Sequence, residues 1–258
     1  MLLEGKRIVV TGGMTGIGKA TVLAMVREGA AVVSMSRTSP DSEQAIKAVE
    51  AAGALGAGAV KHIQCDITDR EGVFEAFDEA VDFMGGLDAM VNSAGQESQQ
   101  SAEDLTKEAL MSQIDMHVGG TIWANQAAFR YLKKTGGSII NYSSFAGVEG
   151  VPNEAAYSVA KGAVISWCRY IAKEWGPYLV RVNCVLPAVM SELVMNAMKD
   201  NDHLMTALED WAKQVIPLGG KMGVPEDAAN LNVFLASDMS RFISGQLIGA
   251  DGGMFKSR

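Results

Sequence analysis

The sequence predicts an α/β fold, a doubly wound parallel sheet folded as a single domain. Three observations carry that expectation. Short β-branched runs alternate with longer helical stretches, Gly and Pro punctuate the joins between them, and a glycine-rich turn separates the first run from the first helix.

In chain order, Arg7 to Thr11 reads as a strand, Ile17 to Glu28 as a helix, Ala31 to Met35 as a strand, Asp41 to Ala52 as a helix and Ala59 to Gln64 as a strand. The rhythm continues with Arg70 to Met84 as a helix and Leu87 to Asn92 as a strand, then a long helical region from about Leu105 to Lys134. Ser138 to Tyr142, Glu154 to Trp175 and Arg181 to Leu186 follow as strand, helix and strand. Helices must stop before each strand, and Gly29, Gly85-Gly86, Gly136-Gly137 and Gly176-Pro177 stand at those places. No linker or change of composition divides the chain. An open parallel sheet of this kind takes its ligands at the carboxyl ends of the strands.

Bulk composition narrows the functions. The 258 residues are 48% apolar and 20% charged, the balance of a globular protein with a large core. A formal net charge of −8 with scattered basic residues repels polyanions, so nucleic acid is not an expected partner. Cys65, Cys168 and Cys184 are odd in number and far apart, which indicates neither a disulfide framework nor a metal site and suits a reducing cytoplasm. Met1 to Lys6 shows no charged-then-apolar leader, and no apolar run approaches the roughly 18 residues that span a bilayer. A membrane partner is not expected either.

One segment, about 190–217, delays the return to the sheet. It is helical and rich in methionine, with Met195, Met198, Met205 and Trp211. Two readings stand: a surface helical pair whose methionines are core, or a lid over an apolar substrate pocket, since methionine adapts to irregular ligands.

The turn after the first strand runs Thr11-Gly12-Gly13-Met14-Thr15-Gly16-Ile17-Gly18 and opens a helix. Backbone N–H groups and the helix N-terminus can approach a pyrophosphate there, provided that Gly12, Gly16 and Gly18 carry no side chain. The second strand ends in Ser36-Arg37-Thr38, where an acidic residue would select a ribose 2′-hydroxyl. A hydroxyl followed by a guanidinium suits a 2′-phosphate instead, so NADP(H) is expected in preference to NAD(H). Asp66 and Ile67 end the third strand, and the carboxylate can accept from an adenine amino group. Asn92, Ala94 and Gly95 end the fourth, where small residues let a cofactor lie close.

The fifth strand closes on Ser143-Ser144, and Tyr157 and Lys161 lie thirteen and seventeen residues beyond Ser144 on the next helix. Spacing of four puts Tyr157 and Lys161 on one helical face. A phenol serving as a base near neutrality needs its pKa lowered by about three units, which an adjacent ammonium can largely supply. Ser144 is then expected to hold a substrate carbonyl oxygen, Tyr157 to pass the proton, and Lys161 to tune the tyrosine and hold the nicotinamide ribose. Tyr142-Ser143-Ser144-Phe145-Ala146 lacks a GxSxG elbow, so Ser144 is not read as a hydrolase nucleophile.

These residues resemble the short-chain dehydrogenase/reductase family in its shorter single-domain branch. The resemblance covers essentially the whole chain: Thr11 to Gly18, Asn92 to Gly95, Ser144, Tyr157 to Lys161, Arg181-Val182-Asn183, Pro187, Gly223 to Asp227, Ser244 to Gln246 and Asp251 to Gly253. It implies a seven-stranded parallel sheet, a nicotinamide cofactor touched also by Pro187 and Val189, and a homotetramer, or a homodimer, built through two long central helices and the C-terminal segment.

Three departures bear on function. His117 replaces the asparagine that supports the family's proton relay; it either preserves the backbone role or exchanges protons itself. Pro187-Ala188 replaces Pro-Gly, and Glu192 beside Ser191 replaces a threonine that touches the carboxamide. The expected reaction is the interconversion of a ketone and a secondary alcohol on a bulky apolar steroid, polyphenol or terpenoid. One alternative is a 3-oxoacyl-carrier-protein reductase, although Thr135 and Tyr178 stand where the family's two docking arginines belong. Another, of a different class, is a non-catalytic NADP(H)-sensing regulator.

Overall fold

The computed structural model describes residues 1–56, 58–190 and 202–255. Seven strands form one parallel sheet: β1 (Arg7–Thr11), β2 (Ala31–Ser36), β3 (Val60–Gln64), β4 (Ala89–Asn92), β5 (Gly137–Tyr142), β6 (Val180–Pro187) and β7 (Leu247–Ala250). Their order across the sheet is β3-β2-β1-β4-β5-β6-β7. The order reverses between β1 and β4, which opens a crevice at their carboxyl ends.

Strand residues bury both faces, as a sheet covered on each side requires. Ile8 and Val10 point into one apolar layer and Val9 into the other, and Ile139 and Ile140 divide in the same way. The first layer holds α1 (Gly16–Arg27) and a late helix, Pro225–Ala236; the second holds α3 (Arg70–Met84), α5 (Gly120–Thr135) and α7 (Ala155–Trp175). Helix α2 (Glu43–Gly53) precedes β3, and α4 (Lys107–Gln113) precedes α5. The expected strands recur within a residue or two.

The long helical region foreseen from about Leu105 to Lys134 is interrupted. A π-turn over Ile114–Gly119 separates α4 from α5. Such a turn adds a residue to the helical path and re-aims the side chains within it, and His117 is one of them. A short helix, α6 (Ala146–Glu149), lies between β5 and α7.

Within the proposed lid, the described part is α8 (Asp202–Val215), followed by the late helix α9 (Pro225–Ala236). Ala212 and Ile216 are buried against Ala188 at the end of β6, with Met222 and Met254 packed beside them. Trp211 is exposed. Met195, Met198, Ser191 and Glu192 lie outside the described residues. Among the described residues, no helix is long and apolar enough to cross a membrane and no group of three metal-ligating side chains converges.

Candidate active site

The strand ends on either side of the β1/β4 crevice enclose a cavity of about 470 Å³. Gly12 and Thr15 of the glycine turn line it together with Ser36 and Arg37. Asp66 and Ile67 after β3, with Ala94 and Gly95 after β4, line it as well, whereas Gly16, Ile17, Gly18, Asn92, Tyr157, Lys161, Pro187 and Val189 of the expected residues do not. Thr38, Phe77, Gln96 and Met116 also line it, and of these only Thr38 stood out in the sequence.

The turn is built for close approach. Gly12 N–H donates to Met35 O at 2.7 Å, tying the turn to β2. A Cβ at Gly18 would lie 2.2 Å from Gly12 O, so the start of α1 can pack on the turn only without a side chain there. Thr15, at the N-cap, makes no side-chain bond to the first N–H groups of α1, and this end of the helix suits an anionic group. The cavity, the glycine cradle and the Arg37 guanidinium together fit an adenine dinucleotide.

Asn92 is held by side-chain hydrogen bonds within the fold. Its side chain is buried and doubly engaged: Thr11 Oγ1 donates to Asn92 Oδ1 at 2.6 Å, and Asn92 Nδ2 donates to Thr121 Oγ1 at 2.8 Å. Ala94 N–H donates to the same Thr11 hydroxyl at 3.3 Å. Asn92 thus shapes the floor beneath Ala94 and Gly95. Asp66 is held in its turn by the backbone N–H and hydroxyl of Thr68, which lower its pKa, with Arg37 adding a smaller effect of the same sign. Pro187 pairs with Ala250 in the sheet, and Val189 bridges to Gly223, so the chain beyond β6 is pinned on both sides.

Ser144, Tyr157 and Lys161 come together. The Ser144 side chain lies beside the Tyr157 hydroxyl, close enough to lower its pKa. Lys161 Nζ lies 5.5 Å from the Tyr157 ring centroid and donates to Tyr142 O at 3.0 Å. Ser143 Oγ donates to Lys161 O at 2.9 Å, locking α7 to the end of β5. A Cβ at Gly147 would lie 2.6 Å from the Lys161 carbonyl carbon, so a glycine is needed for α6 to close on α7.

The electrostatics differ from the simple picture of an acidified phenol. Burial pushes the Tyr157 pKa up, the Ser144 hydrogen bond opposes this, and the charges of Glu97 and Glu154 reinforce the rise. Burial also brings Lys161 down from 10.5 to about 8, because its ammonium is fully enclosed. In the protein alone, desolvation dominates the Tyr157 pKa, and Lys161 is not among the groups that shift it.

His117 is buried, with Nε2 3.0 Å from Gln96 O and its ring edge-on to Tyr157. A carbonyl only accepts, so Nε2 carries the proton. Burial, aided by the Lys161 charge, lowers the imidazole to about 3 against the opposing bond to Gln96. The ring is therefore neutral at neutral pH, which suits the passive of the two roles open to it. Glu97 and Glu154, which no sequence signal singled out, lie side by side, and both charges act on Tyr157. Burial and the Glu97 charge raise Glu154 to about 7.

A parallel sheet with a dinucleotide crevice and a Ser-Tyr-Lys group at its edge defines a Rossmann-type oxidoreductase. Comparison with known proteins agrees: the family model described as Enoyl-(Acyl carrier protein) reductase matches residues 12–255. The chain is 32% identical to 3-oxoacyl-(acyl-carrier-protein) reductase FabG of Thermotoga maritima, over 98% of this chain and 99% of the relative. It is 34% identical to versicolorin reductase stcU of Emericella nidulans, over 98% and 97%. Among solved structures, a short-chain type dehydrogenase/reductase from Mycobacterium ulcerans superposes with a TM-score of 0.90 at 31% identity, covering 98% of this chain and 91% of that one. Levodione reductase superposes with a TM-score of 0.89 at 26% identity, covering 97% and 98%. The chain belongs to the short-chain dehydrogenase/reductase family, whose members are oxidoreductases that use a nicotinamide cofactor.

Proposed function

We propose that this protein is an NADP(H)-dependent oxidoreductase that interconverts a ketone and a secondary alcohol, with a bulky, largely apolar substrate. The observation that carries the reading is the meeting of three side chains: Ser144 acts on the Tyr157 hydroxyl, and the buried Lys161 Nζ lies 5.5 Å from the Tyr157 ring centroid, one helical turn on. When bound, the nicotinamide supplies or accepts the hydride. Ser144 holds the substrate oxygen. Tyr157 Oη passes the proton to that oxygen in reduction and takes it back in oxidation. The raised pKa of Tyr157 keeps the phenol protonated, the form that reduction requires.

Lys161 would hold the nicotinamide ribose, and His117 contributes packing and backbone rather than a proton. Gly12, Thr15, Gly16, Ile17 and Gly18 would receive the pyrophosphate, with Ser36 and Arg37 on the 2′-phosphate. Asp66 and Ile67 would meet the adenine, Ala94 and Gly95 the adjoining ribose with Asn92 beneath them, and Pro187 and Val189 the nicotinamide.

The relatives named for versicolorin and levodione favour a ring ketone, and α8 supplies an apolar wall beside β6. A 3-oxoacyl-(acyl-carrier-protein) reductase is the second reading, favoured by the Thermotoga relative. Consumption of NADPH, measured against ring ketones and a short ketoacyl thioester in parallel, separates the two. Tyr157→Phe should lower kcat by about a thousandfold while NADPH binding is kept. Full biological activity in that variant would instead favour a cofactor-sensing regulator. We expect a homotetramer working in the cytoplasm. Val159 and Tyr170, exposed on α7, and Phe242 near the C-terminus supply apolar surface for assembly, which light scattering on the purified protein would test.

A further inference from the structure

The loop after β2 carries two backbone carbonyls beside its charged side chain, and β3 side chains take both. His62 Nε2 lies 3.0 Å from Thr38 O, and Gln64 Nε2 donates to Arg37 O at 3.1 Å. His62 and Gln64 are two residues apart, so they share one face of β3, opposite Ser34 and Ser36 of β2. Because a carbonyl only accepts, His62 Nε2 carries a proton; Nδ1, 3.3 Å from Ser34 Oγ, accepts that hydroxyl's proton in the neutral ring. Thr38 N–H in turn donates to Ser36 Oγ at 3.2 Å, which leaves the Ser36 proton for an acceptor outside the loop.

We propose that His62 and Gln64 are positioning residues for coenzyme choice: by holding the Thr38 and Arg37 carbonyls, they leave the Arg37 guanidinium and Ser36 hydroxyl to face a 2′-phosphate. The proposal rests on the NADP(H) reading above. An anion pocket tolerates donors and positive charge, whereas a carbonyl oxygen swung into it repels the ligand. Both carbonyls are acceptors by nature, so something must turn them away. The cavity wall formed by Ser36, Arg37 and Thr38 meets that need through His62 and Gln64 of β3. The two holders differ in setting: His62 is buried and Gln64 is exposed.

The test uses the full chain and two adenosine probes that differ by one phosphate, 2′,5′-ADP and 5′-AMP, titrated by calorimetry. The unaltered protein should bind 2′,5′-ADP more tightly. Gln64→Leu and His62→Phe should each cut that preference by about three- to tenfold, the scale of one hydrogen bond, and leave 5′-AMP affinity within about twofold. His62→Gln, which retains a side-chain N–H, should recover part of the loss. Equal weakening of both probes, or an unchanged ratio, would overturn the positioning role while the coenzyme assignment stands. No preference for 2′,5′-ADP in the unaltered protein would remove the NADP(H) reading and this proposal with it. If His62→Phe does not fold, the exposed Gln64→Leu decides.

Discussion

The His117 imidazole stands edge-on to the Tyr157 ring, with centroids 5.2 Å apart and planes at 77°. The contact fixes a neutral ring against the proposed proton donor, and Gly95 makes room for it, since a Cβ there would lie 2.5 Å from His117 Cε1. Its pKa of about 3 lies below the ordinary 6.5, so on acidification the unfolded chain takes up a proton that the folded chain refuses. The associated stability is full above about 6.5 and is lost as pH falls toward 3. At pH 5 the loss should be about 2 kcal/mol. His117→Asn, which does not titrate, should lose correspondingly less stability between pH 7.5 and 5 in urea unfolding. It should also keep turnover within about tenfold, because no proton passes through the ring.

Glu154 moves the other way. Its folded pKa of about 7 is above the usual 4.5, so the cost of its charge is full above pH 7 and is relieved as pH falls through that window. Glu154→Gln should therefore raise Tm at pH 8 by about 2 °C, a modest effect because the group is partly solvated, and leave Tm at pH 4.5 unchanged. Since Glu154 also raises Tyr157, the same variant should shift the pH profile of alcohol oxidation toward lower pH. A Tm gain of equal size at both pH values would point to packing instead.

The middle of the second layer holds a reciprocal amide pair. Asn125 Nδ2 donates to Asn141 Oδ1 and Asn141 Nδ2 to Asn125 Oδ1, each at 2.9 Å, while Trp167 Nε1 donates to Asn125 Oδ1 at 3.0 Å. Asn125→Ala takes a partner from Asn141 Oδ1, from Trp167 Nε1 and from one N–H of Asn141 Nδ2, whose other partner, Cys168 Sγ at 3.2 Å, remains. Urea unfolding should show a loss of about 3 kcal/mol, with kcat falling only as α5 shifts behind the site.

The sheet was legible because β-branched runs and glycine breaks act locally, and the strands fall within a residue or two of the pattern. The Ser144, Tyr157 and Lys161 cluster was legible for the same reason: four residues on a helix and the end of one strand fix its geometry. What stayed hidden depends on contacts between distant segments. The π-turn at Ile114–Gly119 leaves no break in helical composition, yet it aims His117. The partners that hold the Asn92 side chain, Thr11 and Thr121, are ones that only the fold brings near. The rise in the Tyr157 pKa likewise needed the burial and the placement of Glu97 and Glu154, neither of which spacing reveals.

Arg37 offers the sharpest separation of coenzymes. It is exposed on the cavity wall, and its charge is felt at Asp66, so the guanidinium sits where the positive field can reach a 2′-phosphate but also where salt can screen it. A charge-assisted contact of this kind contributes about 1.5–3 kcal/mol, which converts to roughly a ten- to hundredfold change in affinity. Arg37→Ala should weaken NADPH binding by that factor and leave NADH binding nearly unchanged, as read by fluorescence titration. Raising the salt to about 1 M should erode the NADPH preference of the unaltered protein, because the Debye length then shrinks to about 3 Å, while the variant shows little response. Equal loss of both coenzymes in Arg37→Ala would mean that the arginine holds the loop rather than the phosphate.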